Sequence, residues 1–117
     1  MLDLSNGPQH LSRIHHRFTD DGLDQTLHQG AFEAFDPARY TKRELWRGRR
    51  AWELRTLDEY RSQVAFTEML SEMTELGLPF DILGAGIRIV RDEARHVELC
   101  RRMVKMLGGD GKIERDP

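Results

Sequence analysis

Apolar positions divide the chain into three stretches with different periodicities. Residues 1–40 carry only scattered apolar side chains (Leu11, Ile14, Phe18, Leu23, Leu27, Phe32, Phe35) among Gly, Asp, His and Gln. This pattern predicts an N-terminal arm with short helices near 8–18 and 21–35. Residues 41–76 are periodic throughout and, Gly48 apart, contain neither Gly nor Pro. Residues 79–107 form a second periodic stretch. Thr41 and Glu44 have the T-x-x-E spacing of a capping box, which sets the start of the first long helix. Gly77 suits the left-handed residue that closes it, and Pro79 fits the first turn of the next helix. Gly108 and Gly109 end the second helix, and residues 108–117 read as a flexible tail. A linker of two residues, Gly77 and Leu78, predicts two antiparallel helices packed on one another, about 50 and 43 Å long. The fold class is therefore all-α, with a helical hairpin at 41–107.

Counting in sevens along the first helix gives Leu45, Trp52, Glu59, Phe66 and Met73. Along the second, alternating steps of four and three give Ile82, Gly86, Ile89, Glu93, His96, Cys100, Met103 and Leu107, flanked by Leu83, Val90, Val97 and Val104. Both rows are packing seams, and both are interrupted near the middle by charge. An ionised Glu buried without a partner costs many kcal/mol. The interruptions also share a level. Glu59 lies 17 residues before Leu76, while Glu93 and His96 lie 14 and 17 residues after Pro79. Antiparallel packing places all three roughly 21–25 Å from the turn. Two carboxylates and an imidazole meeting inside a bundle are a ligand set for Fe, Mn or Zn.

Composition and charge narrow the picture without changing it. The chain has 117 residues, 38% hydrophobic and 32% charged, enough for one domain with polar outer faces. A formal net charge of -2 provides no general attraction to nucleic acid or an anionic membrane. A single cysteine, Cys100, excludes an internal disulfide and fits a reducing compartment. MLDLSNGPQH lacks the pattern of a signal peptide, and no apolar run approaches a bilayer span, so a cytoplasmic location is expected. The basic segment Arg43, Arg47, Arg49, Arg50 and Arg55 is interleaved with acids and reads as a solvated helix face. His10, His15, His16 and His28 read as exposed arm residues rather than an entry site for iron. Cys100 reads as a small core residue, Trp46 and Trp52 as core or interface. Tyr60 points about 100° away from the seam.

The sequence Arg91-Asp92-Glu93-Ala94-Arg95-His96 resembles the D/E-E-x-R-H motif of di-iron carboxylate proteins, among them bacterial multicomponent monooxygenases and acyl-carrier-protein desaturases. Glu59, followed by Ser62, Val64, Ala65 and Phe66 and then by the turn Gly77, is similar to the ferritin and rubrerythrin pattern. The resemblance covers residues 45–107 and extends to bacterial ferritin-like domains. It implies a carboxylate-bridged di-iron site, with Glu59 a terminal or bridging ligand, Glu93 bridging and His96 binding one metal. It further implies that Asp92 accepts a hydrogen bond from a ligand histidine and that Arg95 neutralises Asp92. A full site needs two helix pairs, and this chain has one. Encapsulated ferritins meet the same shortage by pairing two chains around a shared site. The expected partner is a second copy, in a homodimer or a higher even-numbered oligomer, with room for a shell or partner subunit. The expected activity is an oxygen- or peroxide-dependent oxidoreductase of ferroxidase or oxygenase type. The alternative is a non-catalytic ferritin-like dimerisation or metal-carrier module, including the N-terminal half of a larger ferritin-like domain.

Overall fold

The computed structural model describes residues 1–5, 7–20, 30 and 32–114. Among these, the elements run β1 (Leu2–Asp3), α1 (Gln9–Asp20), a single 3-10 turn (Pro37–Arg39), α2 (Lys42–Glu75), α3 (Phe80–Met106) and β2 (Lys112–Ile113). The long helices carry most of the packing in the molecule and form the hairpin that the periodicity predicts. The short helix expected near 8–18 is α1. The one expected near 21–35 lies largely outside the described residues, as do Leu23, Leu27 and His28.

Local chemistry fixes both ends of α2. The Thr41 hydroxyl accepts from the Glu44 amide at 3.1 Å, and the Glu44 carboxylate accepts from the Thr41 amide at 2.8 Å, completing the capping box. At the other end Gly77 takes φ 65°, and the Leu78 and Gly77 amides return to the Met73 and Thr74 carbonyls. This closure satisfies the last carbonyls and turns the chain into α3. Gly86 then permits close approach of the helices. A Cβ there would stand 3.0 Å from Leu70 Cδ1 and 3.4 Å from Met73 Cε.

That approach sets which face of α3 is covered. Gly86, Val97, Cys100 and Val104 are buried, so the covered line passes through part of the expected seam and part of the row expected to flank it. Ile82 and Ile89, expected inside, are 45% and 39% exposed. A single neighbouring helix covers one narrow stripe, and the apolar face of α3 is wider than that stripe. Trp46 is also exposed, while Trp52 is half-buried.

The tail departs from expectation. Rather than a free end, residues 112–113 form β2, antiparallel to β1 with Leu2 opposite Ile113 and Asp3 opposite Lys112, so two short strands join an otherwise helical fold. Ile113 and Leu2 bury themselves against Leu57 of α2, with Leu4 and Tyr60 packed around them. Burial of these three side chains offsets the ordering of a segment too short to be stable as an isolated sheet. The Cα radius of gyration is 16.4 Å and the extents are 54 × 37 × 24 Å. A compact globule of this length would have a radius of gyration near ~13 Å, so the chain is elongated along its hairpin. No described helix is long and apolar enough to cross a membrane.

Candidate metal centre

Glu59 projects from the middle of α2, and Glu93 and His96 from α3, one helical turn apart. The antiparallel register brings the three together as their shared level requires. His96 Nδ1 lies 3.5 Å from Glu59 Oε2 and 3.6 Å from Glu93 Oε2, and one donor atom from each residue falls within 4.8 Å of the others. The carboxylates are 14% exposed and the imidazole 50%.

These separations test whether the residues suit a metal. Two donors each ~2.1 Å from a common ion, at a tetrahedral angle, stand ~3.4 Å apart. The observed His96–carboxylate distances are close to that value and longer than a good N–H···O hydrogen bond. Glu93 Oε2 is buried and has no hydrogen-bond partner among the described residues. Burial, and next the adjoining Glu59 carboxyl, push the Glu93 carboxyl above its usual range, and the nearby imidazole only partly opposes this. A buried, acceptor-rich atom in a negative environment is the electrostatic condition that a bound cation relieves. The donor set of two hard oxygens and one imidazole fits Fe, Mn or Zn.

The other predicted residues fall around this group. Asp92 is more than half exposed and pairs with Arg95, Nη1 to Oδ1 at 3.2 Å, so the expected Arg95–Asp92 pairing is present. Cys100 is buried close by, and burial, followed by the Glu59 charge, pushes its thiol up to about 11. Its burial is in keeping with a core role. Several arginines of α2 are tied to acids one turn away. Arg49 and Arg50 reach Glu53, while Arg55 donates to Glu59 Oε1 through Nε at 3.0 Å and Nη2 at 2.9 Å. A groove of about 400 Å³ opens beside the ligands, lined by Ala51, Trp52, Arg55, Glu59, His96, Leu99 and Cys100.

One polar centre is not anticipated by the motif. Glu98, 3% exposed, accepts from Arg101 (2.8 and 2.9 Å) and Arg102 (3.1 Å) and meets His15 Nε2 of α1 at 3.2 Å. Burial alone would raise its pKa. The two guanidinium groups and His15 outweigh that and hold it at about 2. His15 and His16 are arm residues with side chains 46% and 43% exposed, as the sequence suggests, and they also dock α1 onto α3 through this carboxylate. The usable signal was Glu98 followed by Arg101 and Arg102 at i+3 and i+4, with a His pair in the arm to meet them. A second cavity, about 490 Å³, lies between this arm and the hairpin, lined in part by Ser12, His15, Tyr60 and Arg101. It contains none of the three candidate ligands. No protein-family model, curated protein or solved structure matches the chain.

Proposed function

We propose that this chain is half of a ferritin-like four-helix bundle, and that two copies share a carboxylate-bridged di-iron site acting on oxygen or peroxide, as a ferroxidase or an oxygenase. The observation that carries the reading is the convergence, at mid-hairpin, of Glu59, Glu93 and His96 at metal-ligand spacing, with Glu93 Oε2 buried and without a hydrogen-bond partner among the described residues. Glu59 and Glu93 would supply hard anionic oxygens and His96 Nδ1 a neutral nitrogen. Iron held by such a set supplies redox chemistry toward oxygen or peroxide. The protein's part is to bring two carboxylates together at one point, to hold the imidazole beside them, and to leave the groove side open to small molecules.

Two features support self-association. Three donors are half the set that a carboxylate di-metal site uses. Ile82 and Ile89, which lead at seven-residue steps to His96, present exposed apolar surface beside the ligands that a second hairpin would cover. A non-catalytic metal-holding module is the second reading, favoured by the half-exposed imidazole.

Anaerobic ferrous titration with mass analysis tests the proposal. About one iron per chain is expected, in dimers or larger even-numbered assemblies. Admitting oxygen should raise the near-ultraviolet absorbance, and metal should raise the melting temperature. His96→Ala should lose most of that increment. Equal melting of metal-free and metal-treated protein would remove the site. Retention of iron with no response to oxygen or peroxide would favour the holding module.

A further inference from the structure

Glu59 is held on both sides. Its Oε2 faces His96 and Glu93, while its Oε1 takes both donors of the Arg55 fork, at 2.9 and 3.0 Å. Arg55 is one turn earlier on α2, and helical side chains lean toward the N-terminus, so Glu59 leans back onto it. The guanidinium is 64% exposed and lines the groove beside the ligands, with room to swing away from the carboxylate. We propose that Arg55 is the resident counter-ion of the metal-free centre and competes with the incoming divalent cation for Glu59. The inference rests on the metal-centre reading above and concerns how that centre is regulated.

Its basis is charge and geometry. Without metal, Glu59 and Glu93 place two carboxylates side by side, and Arg55 supplies a positive charge in contact with one of them. A divalent ion among Glu59, Glu93 and His96 would sit one carboxylate away from the guanidinium. Like charges at that distance repel, moderately because Arg55 is solvated. While the fork is in place, Glu59 offers a metal only Oε2. Binding through both oxygens, or bridging through both, requires Arg55 to leave. Arg55 therefore lowers cation affinity twice, by stabilising the empty site and by repelling its occupant. It also positions Glu59, but fixing one side chain contributes less than the charge it opposes. Removal should tighten binding.

The test uses Mn(II), which is redox-inert under these conditions, titrated calorimetrically into the full-length protein at neutral pH and moderate salt. Arg55→Gln should bind roughly tenfold more tightly than wild type at the same stoichiometry. Arg55→Lys keeps the charge but not the fork and should fall between the two. A merely structural helix-surface pair would leave Mn(II) affinity unchanged. Wild-type binding with equal or weaker affinity in Arg55→Gln overturns the role of Arg55 and leaves the metal centre standing. No Mn(II) binding by either folded protein overturns both. If Arg55→Gln loses its helicity, Arg55→Lys decides: tighter binding by about threefold supports the competition, and unchanged or weaker binding overturns it.

Discussion

At the scale of single residues, the chain holds two carboxylates of opposite character only five positions apart on α3. Glu93 is pushed up by burial and then by the Glu59 carboxyl; Glu98 faces two guanidinium groups and a histidine, which outweigh its burial and hold it at about 2. The consequences for stability have opposite signs. Glu93 has a raised folded pKa, so its ionisation opposes folding at neutral pH, and that cost is relieved as pH falls from the raised value to 4.5. Glu98 has a depressed folded pKa, so its contribution is complete above 4.5 and is lost as pH falls toward 2. A shift of this size in a well-buried group corresponds to roughly 3 kcal/mol. Glu98→Gln should destabilise the protein by about that amount at pH 7 and flatten the acid limb. Urea unfolding at pH 7 and near pH 3 measures both. An unchanged acid limb would show that Glu98 is not the group responsible.

At the scale of elements, the sequence was informative where a local rule applied. Thr41 with Glu44, and Gly77 with Pro79, mark both ends of α2 and the start of α3 to within a residue, because caps and turns are set by near neighbours. Thr41→Ala should cost about 1 kcal/mol in chemical denaturation. It should leave metal affinity unchanged, since Glu59 lies ~27 Å along the helix. Glu59, Glu93 and His96 were legible because helix rise converts residue counts into distance. The rest depended on contacts remote in sequence. Glu98 looks like any solvated acid until α1 brings His15 to it. A two-residue strand has no period to detect, so β2 read as a loose tail. The rotation of α3 that buries Val97 and Val104 and exposes Ile82 and Ile89 depends on how closely Gly86 lets α2 approach, which a heptad count does not contain.

At the scale of the whole molecule, the elongated hairpin leaves one apolar row and one side of the ligand cluster uncovered. If a second copy covers them, a double substitution Ile82→Asp, Ile89→Asp should give monomers in sedimentation and reduce iron retained per chain. Helicity per chain should change little, because both side chains are already substantially exposed. Monomeric wild type at micromolar concentration would exclude the shared site.

The pairing of Leu2–Asp3 with Lys112–Ile113 also has a kinetic consequence. It joins segments separated by almost the entire chain, whereas α2 and α3 meet across a turn of a few residues. Closing the longer loop costs more entropy and is repaid by few contacts. The hairpin should therefore assemble first and the clamp close after the rate-limiting barrier. Ile113, 1% exposed in the native state, is then unstructured at the folding transition state. Ile113→Ala should destabilise the protein by about 2–4 kcal/mol, expressed almost wholly as faster unfolding with the folding rate unchanged. Stopped-flow chevrons read this directly, and a slowed folding limb would place the clamp in the nucleus. Resistance to unfolding would then lie in the last few contacts to form, so lengthening or tightening that ladder would extend the lifetime of the native state without altering how quickly it is reached.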